Sequence, residues 1–457
     1  MKKTYLVGML LVLVSCVACV SSGGTWTQQR TQAVQAQLDK ISVSTSKNAF
    51  INVNTQAAAQ VVDSAGSTLA GMTLAVKDNI DVAGLPTTAG TPALANHVPT
   101  KSATVIERLQ SAGGVVIGKT NMHELAFGIT SNNATYGPVK NAINSNYLAG
   151  GSSGGTGVAI ALGLADAGLG TDTGGSSRIP AALNGIVGFR PTTGRYPNDG
   201  LVMISNTRDT VGPMARTVAD VAALDAVMAG VENKIGDVDL RGVRIGVPSA
   251  YFYENLDPDV ARVAASALAQ MEAAGMILVR ADLPGVAELN AIGFPVVFYE
   301  TSRRLPEYLQ GVDGVNMSDL QAGLTSPDVK GVIEMIMGGP VSDEQYNEAI
   351  AVVRPKLQQM YADYFASHNV SAVIYPTTPL PARLRQGSDE TVELNGEQVP
   401  TFPTYIRNVD PSSNAGIPSV TIPAGRSANG LPIGMAIDGP VNQDRSLLAL
   451  AAALEAL

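Results

Sequence analysis

Cysteine, histidine and tryptophan are scarce in this chain: of 457 residues, two are Cys, three are His and one is Trp. Both cysteines, Cys16 and Cys19, sit near the N-terminus, so a disulfide framework is excluded. His97, His123 and His368 are too few and too scattered for a clustered zinc-type site, and metal-free, cofactor-free chemistry is expected. Basic blocks are missing as well. The 30 Lys and Arg stand against 39 Asp and Glu, a net charge of −9 that does not suit a phosphate backbone, so no nucleic-acid partner is expected. With 15% charged and 45% hydrophobic residues, disorder and coiled coil are excluded and a large packed core is provided for.

Long hydrophobic runs are absent too. The apolar run at 5–14, after Lys2 and Lys3, is too short to span a bilayer but has the size of a signal-peptide core. It ends in Leu13-Val14-Ser15-Cys16, which resembles a bacterial lipobox. That implies a signal peptide at 1–15, an acylated Cys16 and an exported lipoprotein anchored to the membrane in the periplasm or at the cell surface. Cleavage near Ala18 or Ser22 would instead give a plainly secreted chain. Residues 16–27 read as a flexible tether, and 28–457 as a single domain.

Periodicity gives the elements of that domain. Val34, Leu38 and Ile41 mark an amphipathic helix over 28–40, and 69–76 is a short strand ending at Lys77-Asp78-Asn79. Ser102 or Thr104 is the expected N-cap of a helix carrying Val105, Ile106 and Leu109, which stops at Gly113-Gly114 before a strand at 115–117. A second helix-to-strand unit covers 257–279, and further strands are expected at 243–247, 372–375, 418–422 and 433–437. This alternation predicts an α/β fold with a mostly parallel, helix-covered sheet. Residues 285–368, rich in Tyr, Met and Glu, read as a mainly helical insertion that caps the substrate site. Its Phe294, Phe298, Tyr299, Tyr308, Met335, Met337 and Tyr346 are candidate walls of an acyl pocket.

What the chain has in excess is glycine, 47 residues, concentrated over 150–180. Two Gly-Ser loops flank a small, apolar stretch at 156–169 that predicts a tightly packed buried helix, folding both loops onto one spot. Gly174-Gly175-Ser176 lets successive backbone N–H groups converge, as an oxyanion hole needs. Two other patterns are decoys. Gly151, Ser153 and Gly155 satisfy G-x-S-x-G with His368 as the downstream base, but no strand precedes them. Residues 113–120 match a P-loop, yet the β-branched Val115-Val116-Ile117 fits a buried strand. His123-Glu124 is no zinc motif, and His123 reads as structural.

Taken together, Lys77-Asp78-Asn79, the Gly150–Gly155 loop and the run from Gly170 to Pro180 resemble the amidase signature family, nearest its mandelamide and indoleacetamide hydrolase branch. The resemblance implies a large mixed β-sheet core covered by helices on both faces. It also implies a Ser-Ser-Lys unit: Ser176 as nucleophile, Ser152 as a bridging serine after a cis peptide at Gly151, and Lys77 as base. The backbone amides of Thr173, Gly174, Gly175 and Ser176 would form the oxyanion hole, with Asp172 and Arg178 orienting the loops. A free lysine is protonated at neutral pH, so Lys77 must be buried to act as a base. The expected activity is hydrolysis of small or aryl-bearing carboxamides to acid and ammonia. A peptide amidase acting on C-terminal amides, or a silent binding protein on the same fold, are the alternatives.

Overall fold

Eleven strands form one mixed sheet at the centre of the computed structural model, which describes residues 25–339 and 341–457. In chain order the strands are β1 (Phe50–Val53), β2 (Thr73–Lys77), β3 (Val115–Thr120), β4 (Ala167–Asp172), β5 (Val187–Arg190), β6 (Thr210–Ala215), β7 (Arg244–Gly246), β8 (Ile277–Val279), β9 (Ala372–Pro376), β10 (Thr391–Leu394), β11 (Glu397–Pro400), β12 (Ser419–Arg426) and β13 (Pro432–Asp438). β10 and β11 pair only with each other, and the rest run in the order β1-β3-β2-β4-β6-β5-β12-β13-β9-β7-β8. Six of the ten pairings are antiparallel and four are parallel. The mostly parallel sheet expected from alternating elements is thus corrected. Helix-strand alternation marks parallel units only in the flanking runs β3-β2-β4 and β9-β7-β8; the centre and the β1 edge are built from antiparallel neighbours.

The helices are α1 (Trp26–Val43), α2 (Thr104–Ser111), α3 (Gly154–Ala161), α4 (Arg178–Asn184), α5 (Val218–Ala229), α6 (Pro258–Ala273), α7 (Val286–Asn290), α8 (Gly293–Leu309), α9 (Met317–Gly323), α10 (Pro327–Met337), α11 (Asp343–Glu348), α12 (Arg354–His368), α13 (Thr401–Ile406), α14 (Asp410–Ala415) and α15 (Asp444–Glu455). They cover both faces of the sheet. In β2, Leu74 and Val76 join the cluster formed with α2, α5, α6 and α15, while Ala75 joins the cluster under α1 and α3. This period-2 division leaves every residue of β2 buried. Between β8 and β9 the chain is helical, from α7 to α12.

Three local expectations differ from what forms. The first helix starts at Trp26, two residues early, because Thr25 and Gln28 make a capping box. At α2 neither Ser102 nor Thr104 is the N-cap: Ser102 Oγ accepts from the Ala83 amide (2.9 Å) and Thr104 bonds Asp199, so Ala103 occupies the cap position. The single helix expected over 156–169 ends at Ala161, left-handed Gly163 (φ 64°) breaks it, and β4 follows.

Close packing explains Gly155. A Cβ there would lie 2.3 Å from the Asn121 carbonyl oxygen and 2.4 Å from that of Ala49, both backbone atoms unable to step aside. Gly155→Ala is expected to cost about 1–3 kcal/mol, read as a lower midpoint in urea denaturation. An unchanged midpoint would mean that α3 is not held this close to the β1–β3 edge.

Candidate active site

Lys77 ends β2, and the strand's two-sided burial carries its side chain inside: it is fully buried. Nζ lies 2.7 Å from Ser152 Oγ and 2.7 Å from Thr171 Oγ1. Burial lowers its pKa to about 7, against the opposing charges of Asp209 and Asp172. The neighbouring Asp78 does not face it. Asp78 pairs instead with buried Lys119 at 3.2 Å, the lysine of the P-loop-like segment, which is strand β3.

Ser152 follows a cis peptide at Gly151. Its carbonyl accepts from the His123 amide (3.1 Å), and Ser131 Oγ donates to the Gly150 carbonyl (2.9 Å). The two Gly-Ser loops do meet, because the Ser153 amide donates to the Ser176 carbonyl (3.2 Å). Ser153 itself is buried, its Oγ donating to the Thr171 carbonyl, with no strand before it. His368 is at the far end of α12, in a groove with Tyr364 and Asp282.

Ser176 is 8% exposed and lines a cavity of about 200 Å³ together with Thr173 and Gly174. Among the described residues, no hydrogen bond joins the Ser176 hydroxyl to Ser152, whose own hydroxyl contacts Lys77. The loop that carries Ser176 hangs on Asp172. One carboxylate oxygen accepts from the Gly175 amide (2.8 Å), Arg178 (2.9 Å) and Arg190 (3.1 Å); the other accepts from the Ser177 amide (3.2 Å) and Arg178 Nε (3.0 Å). Burial alone would raise the Asp172 pKa, but the two guanidinium groups hold it well below the usual carboxylate range. Arg178 also donates to Ser412, Ser413 and Ser419. Gly175 sits at φ +121°, where only glycine is at ease, and a Cβ would meet Val409 at 2.4 Å. Its amide is already taken by Asp172, so of the four amides expected to converge, those of Thr173, Gly174 and Ser176 belong to residues that line the cavity.

The remaining wall is mostly apolar, with His123, Arg208, Asp328, Asp389 and Asp410 among its polar members. Phe127, Ile129 and Ile204 come from the core side, Phe294, Val297, Phe298 and Val332 from the helical insertion, and Phe402 and Ile406 from α13. Phe294 packs edge-on to Phe298 (6.0 Å) and tilted to Phe402 (6.1 Å). Of the seven candidate walls, only Phe294 and Phe298 are there. Tyr299 stacks on Tyr346, Tyr308 donates to Asp81, and Met335 and Met337 are exposed. Composition finds such residues but not the helix face that bears them. His123, read as structural, also lines the cavity, with Nε2 2.9 Å from Asp328 on α10. Arg208, Asp209 and Asp410 were missed. Thr210 pairs with Asp172 across the antiparallel β4–β6 ladder, which sets 208–209 beside Thr173, and that pairing has no signal in the local sequence.

Comparison with known proteins places the molecule. Residues 26–448 match the Amidase family model, and the chain belongs to that family. It is 46% identical over 394 residues to an indoleacetamide hydrolase of Agrobacterium vitis, covering 86% of this chain and 84% of that one. It is 41% identical over 456 residues to a mandelamide hydrolase of Pseudomonas putida, covering 93% and 88%. Among solved structures, an amidase matches with TM-score 0.82 at 32% identity, over 93% of this chain and 96% of that one. The native peptide amidase of Stenotrophomonas maltophilia matches with TM-score 0.75 at 27% identity, over 94% and 93%. The protein is an amide hydrolase.

The expected localisation is corrected by these matches. The likeness to known amide hydrolases runs through the packed sheet and helices, and among the described residues no helix is long and apolar enough to cross a membrane. On the strength of those relatives the membrane-anchored lipoprotein is set aside; Cys16 and the 1–15 segment lie outside the described residues.

Asp172→Asn would leave the guanidinium groups of Arg178 and Arg190 buried with a neutral partner. A loss of about 3–5 kcal/mol is expected, measured by guanidinium denaturation, and a stability within about 1 kcal/mol of the parent would show that the carboxylate's charge does not anchor the loop.

Proposed function

We propose that the chain hydrolyses small, aryl-bearing carboxamides to the acid and ammonia through an acyl-enzyme on Ser176, with Ser152 and Lys77 as its proton relay. The observation that carries this reading is the contact between fully buried Lys77 and Ser152 at 2.7 Å, beside a loop that sets Ser176 in an apolar cavity. Protonated Lys77 donates to Ser152 Oγ; once neutral, the same contact reverses and Nζ accepts the Ser152 proton. Ser152 in turn takes the proton of Ser176. Ser176 Oγ then attacks the amide carbon, and the Gly174 and Ser176 amides, with Thr173 beside them, receive the oxyanion. The relay returns a proton to the nitrogen as the C–N bond breaks, and ammonia leaves. Water, activated by the same route, hydrolyses the ester and frees Ser176.

The aromatic lining supports an aryl acyl group, in keeping with the relatives named for indoleacetamide and mandelamide. Burying a phenyl-sized group is worth about 1.5–3 kcal/mol, so phenylacetamide should exceed acetamide in kcat/KM by about 10- to 150-fold. Glutamine and a short peptide amide complete the panel, with ammonia release as the readout. Preference for the peptide amide would favour the peptide amidase alternative, and preference for glutamine would overturn the aryl reading.

The relay has a pH signature. Lys77 must be neutral, so kcat/KM should fall tenfold per pH unit below about 7 and level off above it. Lys77→Ala and Ser152→Ala should each lose about 10²–10⁴-fold, and Ser176→Ala about 10⁶-fold, while near-UV circular dichroism stays that of the parent. A fluorophosphonate should label Ser176; a label on Ser153, or an inactive His368→Ala, would contradict the assignment.

A further inference from the structure

Arg208 makes three side-chain contacts from a buried position on the cavity wall. Its Nε donates to the Thr173 carbonyl (3.2 Å), one terminal nitrogen donates to the Gly293 carbonyl (3.0 Å), and the other pairs with Asp410. It is 3% exposed. Thr173 is gripped a second time by the next residue in the chain, because its hydroxyl donates to Asp209 (2.6 Å). Arg208 is itself held, its carbonyl accepting from Arg190 (2.6 Å), which also binds Asp172. The Arg208–Asp410 pair lies against Gly174: a Cβ there would be 2.9 Å from Asp410 Oδ1 and 3.1 Å from an Arg208 nitrogen.

The Thr173 carbonyl and the Gly174 N–H are the two ends of one peptide unit. A cation bonded to the carbonyl draws electron density toward its oxygen, which makes the N–H at the other end a stronger donor and fixes the plane in which it points. We propose that Arg208 is a positioning residue that orients and polarises the Thr173–Gly174 peptide toward the oxyanion. This rests on Ser176 being the nucleophile and Gly174 an oxyanion donor. Arg208 touches no reacting atom; it acts through the peptide, and through Gly293 it ties that peptide to the first turn of α8, which also carries Phe294. An arginine that only braced α14 would have no need of the Thr173 carbonyl.

The test separates the transition state from the ground state. Arg208→Met keeps the apolar bulk, and Asp410 retains Asn290 and Asn414 as donors. With a good aryl amide, kcat should fall about 10- to 100-fold with KM nearly unchanged, less than the 10²–10³ of a lost oxyanion donor. An aryl trifluoromethyl ketone, which Ser176 converts to an oxyanion adduct, should lose affinity by the same factor, while a neutral aryl alcohol, which presents no oxyanion, binds as before. A kcat within threefold of the parent would overturn the proposal, and so would equal losses for ketone and alcohol, which mark a loosened site. If Arg208→Met does not fold, Arg208→Lys carries the same comparison: it keeps a charge but cannot serve Thr173, Gly293 and Asp410 together. The same split supports the proposal, and parental kcat overturns it. A parent enzyme that ignores the ketone would instead refute the reading of Ser176.

Discussion

Desolvation of Lys77 is the condition on which everything else at this site depends. An ammonium in water has no use as a base at neutral pH, and the proposed relay depends on the fold removing that charge by ending β2, a strand buried on both faces, at Lys77. Its two polar contacts are neutral hydroxyls, Ser152 and Thr171. The nearby carboxylates Asp172 and Asp209 raise its pKa only partway back, because each is occupied elsewhere: Asp172 with two guanidinium groups, Asp209 with Thr173 and the amides of Ile204 and Ser205. A direct ion pair would have restored the charge. Asp78, adjacent in sequence, is kept off by its own partner, Lys119.

The glycine loops meet the second requirement, geometry. Ser176 reaches the cavity because Asp172 collects the Gly175 and Ser177 amides and is itself locked by Arg178 and Arg190. One buried charge cluster therefore shapes the loop that carries Ser176, ties it to α14 through Ser412 and Ser413, and sets up Arg208 against Gly174. The helical insertion and α13 then supply aromatic walls over a reaction centre built wholly from the sheet's strand ends and their loops.

Much of this was legible in the sequence where chemistry is concentrated locally. Lys77, Ser152 and Ser176 stand out because glycine crowds around two of them and a strand leads into the third, and the resemblance assigned their roles. Asp172 and Arg178 were legible for the same reason. What could not be read depends on pairing between distant segments. The antiparallel β4–β6 ladder brings Arg208 and Asp209 to Thr173, and no local pattern announces it. The pocket aromatics were half found: α8 turns Phe294 and Phe298 to the cavity and Tyr299 away, a matter of helix phase against a neighbour the sequence does not name. The same holds for α2, where tertiary partners took Ser102 and Thr104 from the cap.

A neutral lysine at physiological pH is the central claim, and it is open to direct observation. In protein carrying lysine labelled with ¹³C at Cε, the Lys77 resonance, assigned by its loss in Lys77→Arg, can be followed across pH. A midpoint near 7 is expected. A Lys77 midpoint near 10.4, with the fold intact, would contradict a base-first relay through Ser152.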